Sequence, residues 1–212
     1  MKTIDVLIAC EFSGIVREAF RAYHGINAIS CDYLPPEDGR WDYHYLGDAR
    51  EAIKYNKWGA MIFFAPCTFL ANSGVCWLYK PDGKRDEERW ENMRLGAELY
   101  RDLLHADIPL IAGENPIPHR YALEIIGRKY DQIIQPWQFW PGPTGQGETK
   151  ATCLWLKGLP RLIPTTPDET GRIPRVHYEP PGPERWKNRS RTYPGIAAAM
   201  AEQWTPIILG GT

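Results

Sequence analysis

The chain has 212 residues, 43% of them hydrophobic and 24% charged, which excludes wholesale disorder and suits one globular core. A formal net charge of −1 excludes a global field for nucleic acid, so any such binding must rest on a local basic patch. The longest apolar runs, such as 60–65, are too short to span a bilayer, and five cysteines without a CxxC spacing fit neither a disulfide framework nor a zinc site.

The N-terminus leads straight into a strand-like run with no apolar core of signal-peptide length, and the expected setting is a reducing cytoplasm. Residues 4–9 (Ile-Asp-Val-Leu-Ile-Ala) predict that first strand. A polar turn with Gly14 follows, then a helix carrying Ile15, Val16, Ala19, Phe20 and Tyr23 on one stripe. Residues 28–31 predict a second strand ending at Asp32, and 49–55 a short helix. The run Met61-Ile62-Phe63-Phe64 has the continuous apolar pattern of a parallel strand covered on both faces. Residues 85–104 hold the strongest helical pattern, with Trp90, Met93, Ala97, Tyr100 and Leu104 three or four apart. A buried strand is predicted at 109–112, another strand at 152–156, and a last helix at 196–204. This alternation predicts one α/β domain over residues 1–212, with about seven strands, mostly parallel, and helices on both faces. The proline-rich stretch 136–192 breaks the alternation and predicts loops laid over the substrate face. Trp137, Phe139 and Trp140 either line that groove or pack beneath it.

In such a sheet ligands bind beyond the carboxyl ends of the strands. The residues in that position are 11–14, Asp32, Asp48, 66–74 and 114–116. Cys10-Glu11-Phe12-Ser13-Gly14 forms a strand-to-helix turn that is neither GxGxxG nor a phosphate loop, and Gly14 serves either a ligand or the backbone alone. Asp32 stands where a carboxylate accepts both ribose hydroxyls of a nucleoside-type cofactor. Asp48 either contacts an adenine amino group or caps the helix beginning at Ala49. Cys67 follows a buried strand in a loop bounded by Pro66 and Gly74, whereas Cys10, Cys31, Cys76 and Cys153 read as inert core thiols. Glu114, at the exit of an apolar strand, is poorly explained by packing, because a buried carboxylate needs partners. It either caps a neighbouring helix or stands as an acid beside Cys67.

Residues 161–192 hold seven basic side chains (Arg161, Arg172, Arg175, Arg185, Lys187, Arg189 and Arg191) against four acidic ones (Asp168, Glu169, Glu179 and Glu184). Tyr178, Trp186 and Tyr193 are interleaved. That mixture suits phosphate contact and base stacking, or equally a solvated surface loop.

The order of these pieces resembles the cytosine-5 DNA methyltransferases, and in particular small phage-type members without a large target-recognition domain. Phe12-Ser13-Gly14 is similar to that family's FxG motif, Asp32 to its ribose-binding acid and Gly47-Asp48 to its GD motif. Pro66-Cys67 through Phe69 and Gly74 resembles the PCxxFSxxG nucleophile loop, Glu114-Asn115 the ENV motif, and 148–152 the QxRxR segment. The chain departs from the family at Val16 and Arg17, which replace its second glycine pair, at Thr68 and Pro116, and at Lys150 and Thr152, which replace two arginines.

The resemblance implies a Rossmann-like class I S-adenosylmethionine-dependent methyltransferase fold, spanning motifs between about residues 4 and 156. It implies Cys67 and Glu114 as catalytic residues, and S-adenosyl-L-methionine held by Phe12, Ser13, Gly14, Asp32, Asp48 and Pro66. Asn115, Lys150 and Thr152 would contact the substrate, joined by Arg185, Lys187, Arg189 and Arg191 of the basic stretch. The implied partner is DNA, either single-stranded or with the target base flipped out, in a host cytoplasm if the gene is phage-borne. The chemistry is attack of the Cys67 thiolate on carbon 6 of cytosine, which makes carbon 5 nucleophilic, with the Glu114 carboxyl at ring nitrogen 3. A free thiol ionises near pH ~8.5, so Cys67 needs a nearby cation, for which Lys150 is one expectation. Four other readings stay open. They are an amino-group methyltransferase using Asn115-Pro116-Ile117-Pro118, modification of pyrimidine nucleotides, modification of RNA, and a catalytically silent binder of nucleic acid or a host protein.

Overall fold

The computed structural model describes residues 3–142, 147–166 and 172–210. Asp168 and Glu169, counted above in the basic stretch, lie outside them. In chain order the elements are strand β1 (Ile4–Ala9), helix α1 (Ile15–Arg21), β2 (Ile26–Asp32), β3 (His44–Leu46), α2 (Ala49–Ala52), β4 (Ala60–Phe63), α3 (Glu87–Leu104), β5 (Leu110–Pro116), α4 (Arg120–Ile126), β6 (Gln132–Ile134), β7 (Thr152–Lys157), α5 (Arg175–Tyr178), α6 (Arg185–Ser190) and α7 (Pro194–Ile208).

The described strands form one sheet of seven in the order β3-β2-β1-β4-β5-β7-β6. All neighbouring pairs from β3 to β5 are parallel, and β7 runs antiparallel to both β5 and β6. The strands' period of two distributes the apolar side chains between two layers. Leu7, Ala9, Met61 and Phe63 face a core closed by α2, α3 and α4. Val6, Ile8, Ala60 and Ile62 face the opposite core, closed by α1 and α7. That two-sided burial explains why β4 and the 6–9 part of β1 read as unbroken apolar runs.

Two sequence expectations are corrected. The strand expected at 152–156 is β7, lying inside the sheet between β5 and β6, but the rest of 136–192 is not simply loops, because α5 and α6 follow it. Trp137 and Phe139 are buried there rather than lining a groove. The second correction concerns β5, which continues through Gly113, Glu114 and Asn115 to Pro116 because the whole segment pairs with β7. Glu114 is therefore a strand residue facing Leu154 across the ladder, not a residue beyond the strand's end. Gly113 makes this possible: a Cβ there would stand 2.3 Å from the Phe63 ring and 2.6 Å from the Tyr100 hydroxyl.

The chain crosses from one half of the sheet to the other between β1 and β4. That reversal leaves a crevice at the carboxyl ends of the strands, the place where open α/β sheets bind ligands.

Candidate active site

A cavity of about 840 Å³ occupies this crevice. Cys10, Glu11, Phe12 and Ser13 enter it from the end of β1, Asp32 and Leu34 from β2, Phe64, Pro66 and Cys67 from β4, and Pro116 and Ile117 from β5. Lys150 and Ala151 precede β7, and Arg185, Trp186, Arg189 and Arg191 reach over from α6 and the residue after it. The sheet thus gathers side chains from separated stretches of sequence onto one surface.

The β1–α1 turn is built around two unusual conformations. Cys10 has a positive φ of 57° and Gly14 one of 74°. Gly14 is the N-cap of α1 and has no Cβ to collide with the Arg17 guanidinium, which would stand 2.6 Å away. It does not line the cavity, so its place is explained by the backbone. Arg17 itself is fully buried, donating to Ser30 Oγ at 2.9 Å and pairing with Glu18 and Asp38. An arginine at this position is thereby accounted for, since it ties α1 to β2 and to the segment after it.

Glu11 lines the cavity, and no motif isolated it. It is 4% exposed, and its carboxylate accepts from the backbone N–H of Val16 at 2.6 Å and of Arg17 at 3.2 Å, and from Ser13 Oγ at 3.3 Å. Burial outweighs these hydrogen bonds and raises its pKa to about 7. The sequence signal was an acid immediately after an apolar strand, but its five- and six-residue reach matches no familiar capping spacing.

Asp32 lies at the end of β2 with Oδ1 accepting from the Leu34 N–H at 2.9 Å. Burial pushes its pKa up, against the help of that hydrogen bond. Two hydroxyl donors would relieve this carboxylate, so its chemistry fits the ribose of an adenosyl cofactor. Asp48 stands outside the cavity lining and caps α2, accepting from the Arg50 N–H at 2.7 Å and the Tyr33 hydroxyl at 2.7 Å.

The Cys67 loop is fastened to the end of β5. Asn115 Nδ2 donates to the Ala65 carbonyl at 3.1 Å, the His119 ring meets the Phe69 carbonyl at 2.8 Å, and the Asn72 N–H donates to the Ile117 carbonyl at 2.8 Å. Burial holds the Cys67 thiol above its ordinary pKa, with the Glu114 carboxylate adding to the effect and Lys150 and Arg189 opposing it. Lys150 is thus one nearby cation, and Arg189 is a second. Together they do not overcome burial.

Glu114 does not line the main cavity. It accepts a hydrogen bond from Thr152 Oγ1 and borders a small pit shared with Lys150, Ser190, Thr192 and Tyr193. Lys150, Ser190 and Thr192 line both spaces, so they separate the glutamate from the cavity into which Cys67 opens. The helix-capping alternative for Glu114 does not apply.

The basic stretch divides by role. Lys187 pairs with Glu184 at 3.1 Å and stands outside the lining, whereas Arg191 lines the cavity but is engaged by Glu37, with Nε 2.8 Å from Oε2. Arg185 Nε donates to the Glu179 carbonyl at 2.8 Å. Glu37 also donates its N–H to the Phe12 carbonyl at 2.9 Å, and the Phe12 and Trp186 rings lie 6.4 Å apart. A closed circuit of contacts therefore holds α6 across the cavity mouth. Of the remaining cysteines, Cys31 and Cys153 are buried, but Cys76 is exposed and Cys10 lines the cavity, contrary to the expectation of core thiols.

No family model and no curated protein matches the chain. Among solved structures, one described as a DNA modification methyltransferase encoded within an E. coli prophage aligns with a TM-score of 0.46 and 13% identity, covering 77% of this chain and 53% of that one. A methyltransferase of Entamoeba histolytica aligns with a TM-score of 0.47 and 16% identity, covering 86% and 61% respectively. The chain spans between half and two thirds of the length of these structures. The strand order, with its single reversed β7, is a Rossmann-like arrangement of a mostly parallel α/β sheet.

Proposed function

We propose that this chain is an S-adenosylmethionine-dependent methyltransferase acting on carbon 5 of cytosine in nucleic acid. The observation that carries the reading is the shared cavity, in which the Asp32 carboxylate and the Cys67 thiol open onto the same space at the carboxyl ends of β2 and β4. Its volume, about 840 Å³, is ample for a cofactor together with one base. Asp32 would hold the ribose, with Phe12 and Leu34 as apolar walls. When bound, S-adenosylmethionine would supply an electrophilic methyl group.

The chain's own residues account for the rest. The Cys67 thiol must lose its proton before its sulfur forms a bond to carbon 6, and Lys150 and Arg189 favour the thiolate. The electron pair of the 5,6 double bond moves to make carbon 5 nucleophilic. Glu114 would hydrogen-bond ring nitrogen 3 and offset the charge there, which requires Ser190 and Thr192 to yield. Carbon 5 would then take the methyl group as the bond from that methyl to the sulfonium sulfur breaks. Removal of the carbon-5 proton by a solvent water would leave its electron pair to re-form the 5,6 double bond, as the bond to Cys67 sulfur breaks and the thiolate departs.

The test is covalent trapping. An oligonucleotide containing 5-fluorocytosine should leave a denaturation-resistant adduct with the wild-type protein and S-adenosylmethionine, because fluorine cannot leave as a proton. Cys67→Ser should form no adduct and transfer no methyl group, while still binding S-adenosylhomocysteine. Full transfer by Cys67→Ser would refute the covalent route.

A further inference from the structure

The cavity is electrically two-ended. Glu11 and Asp32 enter it from the ends of β1 and β2, whereas Lys150 and Arg189 are the cations that act on the Cys67 thiol. Most charges on this wall are already answered: Glu37 engages Arg191, and Glu11 is bound to the α1 amides. Arg189 differs. Among the described residues, no hydrogen bond or ion pair engages its guanidinium. Lys150 Nζ meets a carbonyl, that of Arg189 at 2.9 Å, rather than a carboxylate.

Packing does not explain Arg189 either. The helix α6 buries none of its residues, so nothing in its fold requires an arginine aimed inward. Yet Arg189 lines the cavity on the same side as Lys150 and within electrostatic reach of Cys67. A guanidinium presents a planar fork of donors matched to two oxygens of one anion, and an ammonium adds a mobile third donor.

We infer that Arg189 and Lys150 form a phosphate subsite beside Cys67, which takes the phosphate of the nucleotide whose pyrimidine meets the thiol. The identity of the ring rests on the function proposed above, whereas the phosphate contact follows from the cations. Glu114 borders Lys150 on the far side, in the small pit, so the anion sits on the side facing Arg189 and the open cavity. The phosphate belongs either to a free nucleotide or to a nucleic-acid strand, and both sources present the same oxygens.

Isothermal calorimetry with deoxycytidine, its 5′-monophosphate and a short single-stranded oligodeoxynucleotide tests the subsite, with S-adenosylhomocysteine titrated separately. Wild type should bind at least one of the two phosphate-bearing probes tenfold or more tighter than the nucleoside. Arg189→Ala should remove that advantage and leave deoxycytidine unchanged, and Arg189→Lys should restore part of it. Binding of the monophosphate assigns the source as a free nucleotide. Binding of the oligonucleotide alone assigns a strand phosphate, and its salt dependence should then fall by about one ion in Arg189→Ala. Unchanged affinity of both phosphate probes in Arg189→Ala, or an equal loss for deoxycytidine, overturns the subsite. So does a wild type that binds S-adenosylhomocysteine but no phosphate-bearing probe. Phosphate-dependent, Arg189-dependent binding by a wild type that ignores S-adenosylhomocysteine keeps the subsite and overturns methyl transfer.

Discussion

Replacing Glu11 by Gln removes a buried ionisable group and should change how stability depends on pH. Burial lifts the Glu11 carboxyl from an ordinary 4.5 to about 7, even though two backbone amides and Ser13 bond its charged form. A carboxyl whose folded value is raised favours the native state most when protonated. Its contribution is complete below pH 4.5, declines as pH rises, and is lost once pH passes about 7. At ~1.4 kcal/mol per pH unit, that interval corresponds to a loss of about 3 kcal/mol. Glutamine keeps one acceptor for the α1 amides and cannot ionise, so Glu11→Gln should lack this slope. For a chain of this size 1 kcal/mol moves the melting temperature by ~2–4 °C. About 2.5 kcal/mol of that loss falls between pH 5 and pH 8, so the melting temperature of Glu11→Gln relative to wild type should rise by roughly 5–10 °C across that range. Calorimetric melting of both proteins in matched buffers measures it. A difference that stays constant across that range would show that Glu11 is not the strained acid described above.

Two further outcomes follow from the same site. Cys67 should react with iodoacetamide slowly at neutral pH and faster as pH rises, because burial and Glu114 hold the thiol protonated. Glu114→Gln should shift the profile to lower pH and Arg189→Ala to higher pH, as followed by mass spectrometry of the Cys67 peptide. The second concerns Arg17→Met, which would leave Asp38 and Glu18 with Arg40 alone as their shared cation and Ser30 without its donor. A loss of about 2–4 kcal/mol in urea unfolding is expected, below the full cost of a buried pair because both carboxylates are partly solvated. A loss under 0.5 kcal/mol would count against the buried network.

Local sequence was sufficient wherever one periodicity dominated. The apolar run of β4 declared a strand covered on both faces, the segment 4–9 declared β1, and the stripe through Met93, Ala97, Tyr100 and Leu104 declared α3. Asp32, Pro66 and Cys67 were legible as residues lining the crevice for the same reason, since a residue following a buried parallel strand must emerge at the carboxyl edge of the sheet. Strands of three residues, β3 and β6, are too short to carry a period, and they exist because neighbouring strands supply their partners. Pairing with β7 likewise drew Glu114 into the sheet and behind Lys150, which no local pattern specifies. The Glu37–Arg191 bond joins residues 154 apart, and it sets α6 over the cavity. The sequence by itself determined which strands are buried and which residues stand at their ends. Only the tertiary structure decided which of those residues share a space and which charges are neutralised, because hydrogen-bond and ion-pair partners are chosen by proximity in the fold.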